Sequence, residues 1–273
     1  MKLACCQLNP IWGDRKANIN KANQLLKSYE KDDIDILVLP ELAFTGYVFH
    51  SVEEIKPYLE DTYNGPSVLW AKEKAVELNC YVAVGYPEKH QTKDQVKYYN
   101  SMCFVNRQGE LIKTYRKTFL YETDENWAEE GESFDTMMIP EFGKIGFAIC
   151  MDINPYQFKT DFSEFEFANY HKNEKTDIIL GSMAWLKSKQ EDDNDDNSVM
   201  STINYWALRL SPLLKESVTT GRNILFVACN RIGTERGSTF AGGSSVLEFS
   251  SSGEIHLLNH LSSKEENILI VDS

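Results

Sequence analysis

The stretch that decides the fold is KIGFAICMDINP, residues 144–155, in which an apolar run ends at Cys150 and a polar turn closed by a proline follows at once. Such a run is typical of a buried strand, and the turn residues mark its end. Cys150 is therefore expected at the edge of a sheet, where a side chain can reach substrate while the strand holds its backbone still. A single cysteine is more often a buried apolar residue, so this interpretation depends on its neighbours elsewhere in the chain.

Two other predicted strands end in the same way, each with a charged side chain. An apolar run over residues 34–39 leads to Glu41, and a run over residues 111–116 leads to Lys117. A carboxylate, an ammonium group and a thiol at strand ends are the parts of a thiol-based acyl-transfer site. In this interpretation Glu41 takes the proton of the Cys150 thiol, the sulfur attacks the substrate, and Lys117 stabilises the oxyanion.

Three motifs around these residues carry a family resemblance: PELAFTGY at residues 40–47, YRK at residues 115–117 and GFAICMD at residues 146–152. In this order and at these separations they resemble the nitrilase, or carbon-nitrogen hydrolase, superfamily. The resemblance implies a four-layer αββα sandwich, in which two mixed sheets pack face to face with helices outside. The alternation of strands and helices indicates the α/β class by itself, but it does not distinguish this sandwich from a doubly wound single sheet.

Length and charge limit the class of protein. The chain has 273 residues, 42% of them apolar, and we predict one domain over residues 1–273. A net charge of −13 argues against nucleic acid or an anionic membrane as partner, because phosphate binding needs clustered Lys and Arg. No apolar run approaches the roughly 20 residues of a membrane-spanning helix, and residues 1–10 have the pattern of a strand rather than a signal peptide.

The six cysteines are scattered along the chain, without the C-x-x-C pairs or the histidine spacing that are typical of a zinc site. Apart from Cys150, we interpret them as buried free thiols. Such thiols are typical of a reducing compartment, so we predict a cytoplasmic location, with the nucleus as the alternative.

Hydrophobic spacing predicts helices over residues 15–30, 66–78 and 201–217, with Pro212 expected to break or kink the last one. Ahead of that helix, residues 187–198 combine acidic and polar side chains, which predicts a solvated loop. The functional alternative for this segment is an acidic gate that attracts cationic substrates.

Further motifs narrow the resemblance to one branch of the superfamily. The segment CMDINPY at residues 150–156, MAWL at residues 183–186 and YW at residues 205–206 look like the protein N-terminal asparagine/glutamine amidohydrolases. That branch implies deamidation of an N-terminal Asn or Gln to Asp or Glu, with release of ammonia through a cysteine thioester. The implied partners are peptide or protein N-termini of the N-degron pathway, and no metal or organic cofactor is required.

Two other functions remain open on the sequence. One is a small-molecule amidase of the same superfamily, such as an ω-amidase or a carbamoyl-amide hydrolase. The other is a binding protein without catalysis, against which the intact Glu41, Lys117 and Cys150 argue. Superfamily members often associate through the faces of the sandwich, so a homodimer is compatible with the resemblance.

The resemblance also implies a second catalytic glutamate in the loop after Lys117, where residues 121–131 offer several acidic side chains. Glu125 is the residue chosen here, by its distance from Lys117 and from Gly131, and Glu122 is the alternative. In the family this carboxylate orients the lysine and the substrate amide.

The same resemblance assigns a substrate pocket. The backbone N–H of Met151 would share the oxyanion with Lys117, while Trp185 and Tyr47 would line the pocket. For Trp185 a place in the core is the alternative.

Two further side chains have open roles. Asp152 is a candidate partner for the substrate α-ammonium together with the glutamates after Lys117, and its alternative role is to tie the turn after Cys150 through side-chain to backbone hydrogen bonds. Arg209 could bind a carboxylate or cap a polar network.

Overall fold

The computed structural model describes residues 1–188 and 195–273, and strands make up most of the regular structure in that part of the chain. In chain order the strands are β1 (Lys2–Gln7), β2 (Ile36–Val38), β3 (Glu60–Asp61), β4 (Tyr81–Gln91), β5 (Val96–Val105), β6 (Leu111–Arg116), β7 (Thr136–Ile139), β8 (Gly143–Ile149), β9 (Ile178–Ser182), β10 (Ile224–Cys229), β11 (Thr234–Glu235), β12 (Ser238–Thr239), β13 (Ser245–Phe249), β14 (Ile255–His260) and β15 (Asn267–Asp272).

Two large mixed sheets are built from these strands in similar ways. The first has the order β15-β1-β2-β4-β5-β6, with β3 paired to β4, and the second has the order β14-β13-β10-β9-β8-β7. Each contains a parallel centre, β1-β2-β4 in the first sheet and β8-β9-β10 in the second, flanked by antiparallel strands. The parallel centres are apolar on both faces, which is typical of strands covered on both sides.

The alternation of side chains along β1 shows that the two sheets pack face to face. Leu3 and Cys5 belong to the core that contains the second sheet, whereas Ala4 and Cys6 point to the core under the helices of the first sheet. A hydrogen bond also crosses between the sheets, from the Ser182 Oγ to the Leu39 carbonyl at 2.7 Å. These contacts confirm the predicted αββα sandwich.

Helices cover the outer faces of both sheets. They are α1 (Arg15–Leu26), α2 (Val52–Ile55), α3 (Pro66–Leu78), α4 (Glu166–Glu174), α5 (Asp195–Arg209) and α6 (Pro212–Thr220). Helices α1 and α3 pack on the first sheet, and α4, α5 and α6 pack on the second. None of the helices within residues 1–188 and 195–273 is long and apolar enough to cross a membrane.

Local signals explain where these helices begin and end. Asp14 caps α1 by accepting a hydrogen bond from the Ala17 N–H at 3.0 Å. Pro66 starts α3, where its missing N–H has no consequence, and Asn79 ends it in the left-handed conformation with φ 53°.

Three predicted elements differ from the structure. The helix predicted over residues 15–30 ends at Leu26. The single helix over residues 201–217 is two helices, α5 and α6, because Pro212 starts a new helix instead of continuing the old one. The predicted loop over residues 187–198 is also shorter, since α5 already begins at Asp195. Residues 189–194, which carry much of the proposed acidic gate, lie outside the described residues.

Candidate active site

Glu41 lies just beyond β2 and is completely buried. Its Oε2 accepts a hydrogen bond from the Ala184 N–H at 2.9 Å, so the carboxylate is tied to the second sheet as well as the first. A Cβ atom on Gly85 would lie 2.6 Å from the Pro40 carbonyl oxygen and 2.7 Å from the Glu41 Cα. Only glycine therefore allows β4 to approach the turn that carries Glu41 this closely.

Lys117 follows β6 and is also completely buried. Its Nζ donates to Glu41 Oε1 at 2.6 Å and to Asp124 Oδ2 at 2.5 Å. Although burial by itself lowers the pKa of Lys117, the carboxylates of Asp124 and Glu41 raise that pKa above its usual value. Lys117 is thus a fixed cation at neutral pH.

Burial raises the pKa of the Glu41 carboxyl, whereas it lowers the pKa of Lys117. It raises the pKa of Glu41 to about 7, with Lys117 opposing the shift and the charge of Asp124 adding to it. A carboxyl group with a pKa in this range can both accept and return a proton near neutral pH, which is the property required of a general acid-base residue.

Cys150 comes directly after β8, at the start of a 3-10 turn over Cys150–Ile153. Its backbone has φ 42°, in the left-handed region that a non-glycine residue rarely adopts, and such strain concentrates at functional sites. The side chain is 8% exposed and reaches a cavity. Burial and the charge of Glu41 raise the pKa of the Cys150 thiol well above its ordinary value, so the sulfur needs a base to become nucleophilic.

The second carboxylate beside Lys117 is Asp124, and not the predicted Glu125. Residues Asp124–Asn126 form a 3-10 turn in which Asp124 points inward and is completely buried, while Glu125 and Glu122 are exposed. The Tyr121 N–H donates to Asp124 Oδ2 at 3.1 Å and helps to hold it there. The loop therefore supplies a carboxylate to Lys117 one residue earlier than the sequence indicated, and with a shorter side chain.

Variants of Asp124 and Glu125 test which of the two carboxylates serves Lys117. Asp124→Asn is expected to lower kcat/KM about 10- to 100-fold, the range that corresponds to about 1.5–3 kcal/mol for a hydrogen bond to a charged group. Glu125→Gln, on the exposed side of the same turn, should stay within about twofold of the unsubstituted protein. Steady-state assays of both variants check this, and a larger loss for Glu125→Gln would restore the original assignment.

Asp152 is a structural residue and not part of the cavity wall. It is completely buried, and its Oδ1 accepts hydrogen bonds from the N–H groups of Thr118 and Phe119 at 3.0 and 2.9 Å. Its Oδ2 accepts from the Ile149 N–H and the Tyr115 hydroxyl, both at 2.8 Å. Because these donors occupy both oxygens, Asp152 fixes the turn after Cys150 and is not available to a substrate ammonium group.

A cavity of about 650 Å³ opens beside Cys150. Its lining residues, mostly aromatic or hydroxyl-bearing, are Tyr47, Tyr121, Cys150, Met151, Asn154, Phe158, Ala184, Trp185, Leu186, Ser188, Ser201, Thr202 and Tyr205. No carboxylate is among the lining residues within the described part of the chain. Among the described residues of this wall, therefore, none is the acidic partner expected for an ammonium group.

The predicted pocket residues Tyr47, Met151 and Trp185 all belong to this lining. The Tyr47 hydroxyl donates to Asp124 Oδ2 at 3.3 Å, which links the cavity wall to the charged cluster. The Trp185 ring packs against Tyr205, with 5.5 Å between the ring centroids. Trp185 is thus a wall residue that is half-buried, and not a core residue.

Arg209 caps a polar network below the cavity. Its Nε donates to the Ile153 carbonyl at 2.9 Å and its Nη1 to the Phe162 carbonyl at 2.5 Å. The side chain is 1% exposed, so its guanidinium supports the segment after Cys150 and does not meet a ligand.

Asn100 is the functional residue that the sequence analysis missed together with Asp124. It lies on β5, and its Nδ2 donates to Glu41 Oε1 at 2.7 Å and to Asp124 Oδ1 at 3.0 Å. The signal in the sequence is a pair of polar residues, Asn100 and Ser101, directly before the apolar run of a buried strand. A polar side chain at such a position must find hydrogen-bond partners.

Comparisons with known proteins agree with this geometry. The family model for carbon-nitrogen hydrolase matches residues 2–160. The protein N-terminal amidase of Schizosaccharomyces pombe (strain 972 / ATCC 24843) is 35% identical over 99% of this chain and 98% of its own length.

Solved structures agree as well. A crystal structure of N-terminal amidase with an Asn-Glu-Ala peptide superposes with a TM-score of 0.85 at 26% identity, over 99% of this chain and 97% of that one. Another, with a Gln-Gly peptide, gives 0.85 at 25% identity over 99% and 96%. With its motifs, its sandwich fold and this family match, the chain belongs to the carbon-nitrogen hydrolase family.

Proposed function

We propose that this protein hydrolyses the side-chain amide of an N-terminal Asn or Gln of peptides or proteins, releasing ammonia and leaving Asp or Glu. The observation that carries the proposal is the buried Glu41–Lys117 pair that acts on Cys150, whose side chain reaches the wall of a cavity large enough for a peptide N-terminus. The Schizosaccharomyces pombe relative and the two solved structures described above bear the name N-terminal amidase. The peptides in those structures begin with Asn or Gln, which supports the same substrate class.

The first half of the reaction forms a thioester. Glu41 takes the proton of the Cys150 thiol as the sulfur attacks the carbon of the side-chain amide. The negative charge that develops on the amide oxygen is stabilised by Lys117 and by the backbone N–H of Met151, which lies in the first turn after Cys150. Protonated Glu41 then gives its proton to the leaving nitrogen, so that ammonia departs and the acyl group stays on sulfur.

The second half hydrolyses the thioester. Glu41, now ionised again, takes a proton from a water molecule whose oxygen attacks the acyl carbon. Lys117 stabilises the second oxyanion in the same position. When the carbon–sulfur bond breaks, the proton returns from Glu41 to Cys150, and the product leaves as an N-terminal Asp or Glu.

The size and chemistry of the cavity favour a peptide over a small amide. About 650 Å³ is in the range of pockets that enclose drug-sized ligands, and a free ω-amide would fill only part of it. The α-ammonium of a peptide needs polar or aromatic partners, because a desolvated cation without a partner is costly. The Asn154 side chain and the Trp185 and Tyr205 rings offer such partners, since aromatic faces attract cations.

The test is ammonia release from peptides that begin with Asn or Gln, compared with the same peptides after N-terminal acetylation. We expect free N-termini to react, acetylated ones to lose most of the rate, and internal Asn or Gln to remain unchanged. Free asparagine, free glutamine and small ω-amides serve as the comparison set. Equal rates on acetylated and free peptides, or faster turnover of a small ω-amide, would favour the small-molecule amidase instead.

The proposal also includes a pathway, a cellular location and an oligomeric state. A role in the N-degron pathway follows from the product, because deamidation changes the identity of an N-terminal residue. A cytoplasmic location, with the nucleus as the alternative, stays a prediction, as does the homodimer.

A further inference from the structure

Asn100 joins the two acidic side chains that surround Lys117. Its single Nδ2 group donates to Glu41 Oε1 at 2.7 Å and to Asp124 Oδ1 at 3.0 Å, while the Lys117 Nζ bridges the same two carboxylates. The backbone carbonyl of Asn100 also accepts a hydrogen bond from the Lys117 backbone N–H at 2.8 Å. Four side chains thus form a closed ring of hydrogen bonds in which each carboxylate receives both donors.

The ring fixes the orientation of the Asn100 amide. The reversed amide would place its oxygen against two carboxylates, which repel it, so only the observed orientation is stable. Its Oδ1 is buried and has no hydrogen-bond partner among the described residues. A buried oxygen without a partner is unfavourable, so the two hydrogen bonds from Nδ2 must offset its cost.

The position on the strand explains why Asn100 can reach this cluster. Along β5, Asn100, Met102 and Phe104 share the face that looks toward the second sheet, and the latter two belong to the core between the sheets. Ser101 points to the opposite face, where its Oγ donates to Glu88 Oε2 at 2.7 Å. Asn100 therefore supports the carboxylates around Lys117, while its neighbour Ser101 supports Glu88 on the other face of the strand.

Charge explains what the amide contributes. When Glu41 is ionised, the cluster holds two carboxylates and one ammonium group, so the charge of Lys117 balances only one of them. An amide donor stabilises carboxylates without adding a charge or a proton that titrates. The charged or titratable groups that face Glu41 from the surrounding elements are Lys117, Asp124, Cys150, Tyr47 and Arg231.

We propose that Asn100 is a positioning residue that aims Glu41 and Asp124 at Lys117 and sets the pH above which Glu41 can act as a base. The Asn100 amide donates to Glu41 and Asp124 and makes no side-chain hydrogen bond to a described residue of the cavity wall, so it acts through these carboxylates and not on the substrate. The inference rests on the proposed function only for the choice of assay.

The direction of the pH effect follows from the state that Asn100 stabilises. Burial raises the pKa of Glu41 to about 7, and the hydrogen bond from Asn100 lowers that pKa by favouring the ionised form. Without the amide, Glu41 would remain protonated to a higher pH. The acidic limb of the activity profile, which rises as Glu41 ionises, should therefore move upward in pH.

The experiment compares Asn100→Leu with Ser101→Ala, the matched control that loses a buried hydrogen bond on the other face of the same strand. In Asn100→Leu we expect the acidic midpoint of kcat/KM to rise by about one pH unit, the shift that corresponds to one hydrogen bond to a charged acceptor. A rise of one unit in the pKa of Glu41 from about 7 lowers its ionised fraction at pH 7 about fivefold, so kcat should fall by about that factor with little change in KM, because the cavity wall is intact. Ser101→Ala should keep the midpoint of the unsubstituted protein.

A second variant and a second measurement complete the experiment. Asn100→Ser, a smaller side chain that retains one donor, replaces the leucine variant if thermal unfolding shows that the latter does not fold, and its midpoint should rise by a smaller amount. The pH dependence of Cys150 alkylation by iodoacetamide, followed by peptide mass mapping, repeats the measurement without any substrate.

The outcomes separate the two proposals. If no peptide releases ammonia but the alkylation profile shifts in Asn100→Leu, the proposed substrate is wrong and the role of Asn100 holds. An unchanged midpoint in both Asn100 variants, or an equal shift in Ser101→Ala, overturns the positioning role.

Discussion

Replacing Cys150 with alanine is expected to abolish ammonia release while the chain stays folded. Cys150 carries the only thiol among the described residues that line the cavity, and loss of a nucleophile in acyl transfer costs on the order of 10⁶-fold in kcat. Alanine removes only one atom from a residue that is 8% exposed, so little packing is lost. Cys150→Ser should also be inactive, because a hydroxyl is far harder to ionise than a thiol.

The control for this prediction is Cys80→Ala, which removes a buried thiol outside the cavity. Burial raises the pKa of Cys80 to about 12, and Cys80 is not among the residues that line the cavity, so its thiol stays protonated and away from a bound substrate. We expect Cys80→Ala to keep its activity and Cys150 to be alkylated first in the unsubstituted protein. Ammonia assays and peptide mapping measure both, and wild-type turnover in Cys150→Ala would refute the thioester.

The second large effect is expected for Lys117→Met. Loss of one well-placed oxyanion donor typically lowers kcat by about 100- to 1,000-fold. Methionine has a similar length but no charge, so the developing oxyanion would have only the Met151 N–H. The ground-state wall of the cavity is unchanged, and KM should therefore change much less than kcat.

Lys117→Met also affects stability, and this must be measured separately. Glu41 and Asp124 would face each other in a buried site without their shared cation, and removal of one partner from a buried ion pair typically costs about 3–5 kcal/mol. Thermal unfolding of the variant measures this loss of stability. Lys113→Met is the control and should keep its activity, because Lys113 lies on β6, the strand that leads to Lys117, and pairs with Asp135 near the surface. A folded Lys117→Met protein within a few-fold of the unsubstituted rate would exclude the oxyanion role.

The strand ends that carry the reactive groups were predictable because their signals are local. A strand-like run followed by turn residues indicates where a strand stops. Lys117 and Cys150 come directly after such runs, and Glu41 comes two residues after the run over residues 34–39. The alternation of residues along a strand also places one face in the core. The packing of two sheets, in contrast, came from family resemblance, since the same pattern would serve a single doubly wound sheet.

Local signals were weaker in irregular segments. A break or a kink at Pro212 was predicted, because proline disrupts the interior of a helix. The extent of α5 was not, since its first turn is made of acidic and polar residues that are equally typical of a loop.

The amino-acid sequence by itself determined the class of chemistry, through one thiol, one carboxylate and one ammonium group at strand ends. Only the tertiary structure decided that Asp124 and not Glu125 meets Lys117, that Asn100 bridges the two acids, and that Asp152 is occupied by backbone donors. The reason is physical. A strand has a period that assigns each residue a face, but in a 3-10 turn or loop the inward residue is chosen by the groups packed around it, which lie far away in the chain.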